Sequence, residues 1–256
     1  MPIAMKNHML AVLAIAPMLG FWSAFTAQAT EVRQAEAVVE LFTSQGCSSC
    51  PAADKVLAKL GSEGKVLTLA WHVDYWDYLG WKDTFALNSN TERQKGYAMS
   101  FGERQIYTPQ AVINGRMHVV GSREEAVRNA VADFSGNANG LTVPIEVEAS
   151  GEMLKISVAA TADAEDATLW MVYYNEGSDV AVKRGENSGH NLHYTHMVRA
   201  VEMIGMVKDN KIQTEFMIRD MARRGFDSCA LILQKSAPGG TPGPIVGAAF
   251  VTGLGS

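Results

Sequence analysis

The stretch Ala37–Leu60, AVVELFTSQGCSSCPAADKVLAKL, decides how this chain is read. Ala37 to Phe42 is a short apolar run closed by Thr43-Ser44-Gln45-Gly46, which predicts a buried strand followed by a loop. From Pro51 the spacing changes: Ala53, Val56, Leu57 and Leu60 recur on one helical face, and Gly61 is a natural stop. Val66 to Val73 (VLTLAWHV) is a second, nearly continuous apolar run, as expected of a strand covered on both faces. Two strands joined through a helix in this way predict a parallel βαβ unit.

Cys47-Ser48-Ser49-Cys50 falls between the first strand and the helix. A spacing of three brings both sulfurs onto one turn, close enough for a short disulfide. The helix N-terminus offers unpaired N–H groups and a partial positive charge, which stabilise a thiolate at Cys47. Cys50, further into the helix, is then the resolving thiol. Pro51 suits the first turn, where its missing N–H costs little. A zinc site would need two more ligands, and only Cys229 and scattered histidines remain, with no second pair at finger spacing. A purely structural disulfide stays open, although so small a loop gains little chain-entropy stabilisation.

Working outward, Asp74 to Gln105 is an aromatic-rich insertion holding Trp76, Trp81, Phe85, Tyr97 and Phe101, with helical spacing over Thr91 to Met99. Such an insertion beside a redox centre forms either a substrate lid or a second layer of core, and Trp81 and Phe85 read as core. Thr108-Pro109 leads into a strand at Gln110 to Ile113, the turn Asn114-Gly115 and a strand at Arg116 to Val120, a strong hairpin signal. Asn114 is explained by the left-handed turn it permits. Ser122 with Glu125 fits a capping box for a helix whose apolar face is Ala126, Val127, Ala130, Val131 and Phe134. Gly136 to Gly140 reads as a linker. Beyond it the texture is β: Leu141–Ala149, Leu154–Ala160, Thr168–Asn175, Tyr194–Val207, Ser228–Gln234 and Ile245–Val251, with one short helix near Phe216 to Arg224.

At the front, Lys6 and His8 precede an apolar run from Met9 to Phe25 and the small-residue site Ala27-Gln28-Ala29. This predicts a signal peptide over residues 1–29, cleaved near Ala29, and a periplasmic or secreted mature chain. Pro17, Gly20, Ser23, Thr26 and Gln28 argue against a retained membrane anchor. Of the 256 residues, 47% are hydrophobic and 19% charged, which excludes a disordered chain and supports a large buried core. The net charge is −5, so no basic field exists to hold nucleic acid, and the mature form is expected to bind neither nucleic acid nor membrane. Export would place the three cysteines where disulfides persist.

Strand, CxxC at a helix start, strand, then Thr108-Pro109 before a β-hairpin and helix: this order resembles the thioredoxin fold. That resemblance implies a cis Pro109 packed beside the disulfide and Thr108 offering backbone groups to a substrate. With Glu40-Leu41-Phe42-Thr43-Ser44-Gln45-Gly46-Cys47, Trp71-His72-Val73-Asp74-Tyr75-Trp76 and Gly185-Glu186-Asn187, the chain is similar to exported bacterial thioredoxin-like proteins carrying a domain of unknown function. The expected class is therefore an α/β thioredoxin-like domain over residues 30–136, with its insertion at 74–105, and a β-sandwich-like domain over 141–256. The Ser-Ser spacer departs from the Gly-Pro of thioredoxin and from the His-containing pair of strong oxidants.

The functional expectation is a thiol–disulfide oxidoreductase without a cofactor, in which Cys47 attacks and Cys50 resolves. Trp76, Thr108 and Pro109 would face a disulfide-containing protein or small molecule, and a redox partner would complete the cycle. His72 and Asp74 alternate onto one face if the strand persists. Asp74 is placed to take a proton from Cys50, or His72 to stabilise the Cys47 thiolate; a hydrogen-bonded pair securing the insertion is the alternative. His190, His193 and His196 invite a metal, but on a strand their spacing points His193 and His196 to opposite faces, and a polar loop packed on the N-terminal domain fits better. Cys229 reads as a buried free thiol. The competing reading of the whole is a non-catalytic binding or scaffold protein with a static disulfide. A thiol peroxidase lacks its supporting Arg and Thr near Cys47.

Overall fold

The computed structural model describes Met1 and residues 30–136, 140–208 and 211–254; the expected signal segment 2–29 and most of the linker lie outside them. In chain order the strands and α-helices are β1 (Glu31–Gln34), β2 (Ala37–Thr43), α1 (Cys50–Ser62), β3 (Val66–His72), α2 (Asn88–Phe101), β4 (Gln110–Ile113), β5 (Met117–Val120) and α3 (Glu124–Phe134). There follow β6 (Glu146–Ser150), β7 (Met153–Val158), β8 (Thr168–Ala181), β9 (Asn191–Met206), β10 (Ile212–Met217), α4 (Ile218–Arg223), β11 (Ser228–Ala237) and β12 (Thr241–Thr252).

Every residue of β2 and β3 is buried, which is why both read as unbroken apolar runs. They pair in parallel from Ala37↔Val66 to Thr43↔His72, with α1 as the crossover. One face meets α1 and α3 through Val39, Leu41, Leu57, Leu60, Val127 and Ala130. The other face, through Phe42, Leu69 and Trp71, packs into one apolar cluster with Val172, Ile232 and Phe250 from far along the chain.

One mixed sheet of nine strands runs β1-β12-β11-β8-β9-β3-β2-β4-β5, and a second sheet runs β10-β7-β6. Strands from both sides of the 136–140 segment therefore share a sheet, joined where β3 and β9 meet in parallel at Ala70↔Met197. A buried polar cluster adds to that seam. Arg93 of α2 donates to both oxygens of Glu40 on β2 at 2.7 and 3.1 Å and to Gln234 of β11 at 3.0 Å, and the Tyr97 hydroxyl donates to Glu40 as well.

Several local expectations are adjusted. α3 begins at Glu124 with Arg123 in the capping position, so Ser122 lies one residue too early for a capping box, and Glu124 and Glu125 complement the helix dipole instead. The strand expected from Leu141 starts at Glu146 because Pro144 has no N–H to give a ladder; Val143 is tied separately, through its N–H to Val246 O at 2.8 Å. β1 and β10 had no strong signal, and the helix near Phe216 is confined to Ile218–Arg223 after β10. Asn114 does more than permit the turn: its Oδ1 accepts the Val38 N–H at 2.7 Å and its carbonyl accepts the Ile245 N–H, which binds the hairpin to β2 and β12.

β8 and β9 are the longest strands, with 14 and 16 residues. Their paired ends, Gly177–Ala181 against Thr195–Asn191, carry a tip at 182–190. This arm reaches the CxxC turn.

Candidate functional site

Cys47 and Cys50 form a disulfide at the junction of β2 and α1, and both residues are 0% exposed. The turn is closed by its own backbone, with Cys47 N–H donating to Ser44 O and Cys50 N–H to Cys47 O, each at 3.2 Å. Gly46 is needed for a close approach, since a Cβ there would stand 3.0 Å from the Trp76 Cβ. Trp76 in turn donates its indole N–H to Thr108 Oγ1 at 2.8 Å, and the Thr108–Pro109 bond is cis. Pro109 O accepts the Gly121 N–H at 2.9 Å, and a Cβ on Gly121 would touch both Pro109 and Ala53 of α1. Trp76, Thr108, Pro109 and the disulfide turn are thus gathered into one locale from three separate segments.

The arm completes the enclosure. The Asn187 side-chain amide, 6% exposed, donates to Gln45 O and to Cys47 O, both at 2.9 Å. Glu186 Oε2 accepts the Ser48 N–H at 3.0 Å, and that contact holds its carboxyl below the usual range. Beside the disulfide, a cleft of about 680 Å³ lies between α1 (Pro51, Asp54, Lys55) and the arm (Asn187, Leu192).

Beneath the turn lies a buried polar group of which the sequence pattern points to His72 alone. Asp54 sits four residues after Cys50 on α1, so the two share a helix face with Cβ atoms about 6 Å apart. Thr43 donates its hydroxyl to Asp54 Oδ1 at 2.9 Å, and burial pushes the carboxyl up to about 7. His72 Nδ1 lies 2.8 Å from Asp83 Oδ2, and both side chains are 0% exposed. Asp83 also accepts the N–H of Gln45 at 2.7 Å and of Phe85 at 2.8 Å; burial opposes its ionisation, yet these partners hold it below the usual range. Asp54 Oδ2, His72 Nε2 and the Tyr194 hydroxyl have no protein partner among the described residues. The His72 and Tyr194 rings meet edge-on at 4.9 Å, and burial together with Asp54 and Asp83 pushes the Tyr194 phenol up.

Asp74 does not join this group. Thr91 Oγ1 donates to it at 2.6 Å and Asn88 at 3.2 Å, and these bonds lower its carboxyl below the usual range, which makes it a poor proton acceptor. It anchors the start of α2 instead. Trp81 donates to Gln45 Oε1 at 2.9 Å, and Phe85 packs edge-on against His72, so the insertion secures the turn from outside.

The three C-terminal histidines have separate partners: His190 with Asn187 O, His193 with Asp179 and His196 with Thr68. Among the described residues no group of three or more His, Cys, Asp or Glu is placed to hold a metal ion. Cys229 is a buried free thiol, and burial pushes it up to about 12. Among the described residues no helix is long and apolar enough to cross a membrane.

Fold and site together define an α/β protein with a covered CxxC disulfide at a strand-to-helix turn. The chain belongs to the family described as "Protein of unknown function (DUF1223)", whose profile matches residues 38–234. It is similar to a crystal structure of protein AGR_C_4864 from Agrobacterium tumefaciens, at 36% identity and a TM-score of 0.76, over 86% of this chain and 95% of that one. No curated protein matches the chain.

Proposed function

We propose that this chain is an exported thiol–disulfide oxidoreductase, thioredoxin-like in its N-terminal half, that works through Cys47 and Cys50. The observation that carries this reading is the Cys47–Cys50 disulfide at the first turn of α1, in the same locale as the cis Thr108–Pro109 segment. Export rests on the apolar run from Met9 to Phe25 and on Ala27-Gln28-Ala29.

In the reduced state the Cys47 thiolate attacks a substrate disulfide, forms a mixed disulfide and expels one substrate thiolate. Cys50 then loses its proton, attacks the Cys47 sulfur, restores the internal disulfide and expels the second thiolate. Those two thiolates take up protons, and the substrate has gained the two electrons the dithiol lost. Run backwards, the same steps oxidise a dithiol. Asp54 is the proton acceptor for Cys50: with its carboxyl near 7 it both accepts and returns a proton close to neutrality. Trp76 and Thr108 line the approach. Because both sulfurs are buried, a substrate reaches Cys47 only after the arm moves.

That burial also favours a second reading, a binding or scaffold protein in which the disulfide is static. The two separate in a disulfide-exchange assay with hydroxyethyl disulfide or an oxidised protein. Cys47→Ser is expected to abolish exchange, and full activity in that variant would sink the catalytic assignment. With Cys50→Ala, a mixed disulfide at Cys47 should accumulate. A reduction potential well below about −300 mV would favour the static bond.

A further inference from the structure

Glu186 and Asn187 look like ordinary loop residues in the sequence, and the exchange chemistry above asks of the arm only that it move. These residues lie about 140 positions beyond the cysteines, yet they make the arm's direct bonds to the CxxC turn. We propose that the arm regulates the disulfide it covers: Asn187 holds the cover shut, and the Glu186 carboxylate makes the disulfide harder to reduce. This inference rests on the redox reading of Cys47 and Cys50, and it assigns control of that site to the C-terminal half of the chain.

The argument for Glu186 is electrostatic. Ser48 N–H is the first amide after Cys47, at the entrance to α1, where free donors stabilise a thiolate. Glu186 takes that donor, and brings a full negative charge to the place where reduction creates another. Reduction by glutathione breaks the Cys47–Cys50 bond. Two glutathione thiols supply two electrons and two protons and become glutathione disulfide. When Cys47 emerges as a thiolate, one of those protons goes to solvent instead. The carboxylate raises the free energy of that thiolate, and it leaves the neutral disulfide nearly untouched.

The argument for Asn187 is steric and polar. Its amide satisfies two carbonyls, at Gln45 and Cys47, and its own burial shows that the tip is seated rather than loosely apposed. A substrate strand entering beside Cys47 must offer N–H donors of its own to those carbonyls, because leaving them bare would be costly. An extended polypeptide supplies such donors, whereas a small thiol does not. The arm therefore discriminates in favour of protein substrates.

The test compares the full chain with Glu186→Gln and Asn187→Asp. Gln keeps an oxygen for the Ser48 N–H and removes only the charge. Its equilibrium constant for reduction by glutathione is expected to rise about threefold to fivefold, in line with a charge at a helix terminus. In a Cys50→Ala background, absorbance at 240 nm should show the Cys47 thiolate forming at lower pH in Glu186→Gln. Asn187→Asp sets a carboxylate against two carbonyls and should release the tip, speeding reduction by dithiothreitol about thirtyfold. A Glu186 that merely braces the loop would shift the melting temperature and leave the thiolate titration unmoved. An unchanged glutathione equilibrium with an unchanged titration would overturn the proposal. Failure of the redox reading looks different: the wild-type chain would not turn over an oxidised protein substrate, while the Glu186→Gln shift would persist.

Discussion

Replacing Asp54 by Asn should remove a pH dependence of stability that wild type carries. In the folded chain the Asp54 carboxyl keeps its proton up to about pH 7, because burial disfavours the anion more than the Thr43 hydroxyl and His72 can offset. In the unfolded chain an aspartate loses its proton near about 3.9. A raised folded value means that the folded state binds more protons across that interval, so stability is full below the unfolded value and falls as pH rises toward the folded one. From about pH 5 to about pH 7 the loss is two units at about 1.4 kcal/mol each, or about 3 kcal/mol, and above the folded value it levels off. Asn carries no proton to lose, and its Oδ1 still accepts the Thr43 hydroxyl. Urea unfolding of the oxidised protein at about pH 5 and about pH 8, compared between wild type and Asp54→Asn, isolates this one group, since every other carboxylate is common to both. Wild type should lose about 3 kcal/mol more than the variant. Equal losses in the two proteins, to within about 0.5 kcal/mol, would show that Asp54 is ionised throughout and would remove it as the proton acceptor for Cys50.

Arg93→Met should destabilise the chain by about 3–5 kcal/mol, read as a lower urea midpoint, because Glu40 is 0% exposed and would be left without its cation. The double variant Glu40→Gln with Arg93→Met should recover a large part of that loss. Gly115→Ala should cost at least about 2 kcal/mol: φ is +62°, and a Cβ there would overlap Gly243 O across the seam between the hairpin and β12. Thermal unfolding checks it, and an unchanged melting temperature would mean that the hairpin is not held against that segment.

Local order explains how much of this was legible beforehand. The β2–turn–α1–β3 unit shows in the sequence because each strand is covered on both faces and the helix keeps its own period, so Ala37–Phe42, Ala53–Leu60 and Val66–Val73 carry their assignments locally. The Asn114-Gly115 hairpin shows because only positive φ at both residues makes that turn. The arm does not show, since Glu186 and Asn187 look like ordinary loop residues until β8 and β9 pair and carry them back to the cysteines. Asp54 was readable in one respect: it is an acid set among the apolar positions Ala53, Val56 and Leu57 on the buried side of α1. Asp74 misled for a related reason. Alternation after Trp71 suggests a strand running on to Trp76, but β3 stops at His72, and the chain turns Asp74 toward Thr91.

The shared sheet also bears on how the cover works. At its base β8 lies between β9 and β11, with Thr168–Tyr174 paired to β11 and Glu176 bonded to Asp227 and Ser228, but from Gly177 on, among the described residues, the strand pairing of β8 is with β9 alone. The tip of the arm can therefore lift without breaking the nine-stranded core. The two Asn187 bonds contribute about 1 kcal/mol each, net of the water that would replace them, so together they favour the closed state by about 2 kcal/mol. A gap of that size leaves a few per cent of molecules open, and a ligand that binds only the open form has its affinity weakened by that fraction. A protein partner that replaces the Asn187 bonds with its own backbone donors recovers that factor. A small disulfide that cannot do so keeps the full penalty, so the cover both protects the disulfide and selects what reaches it.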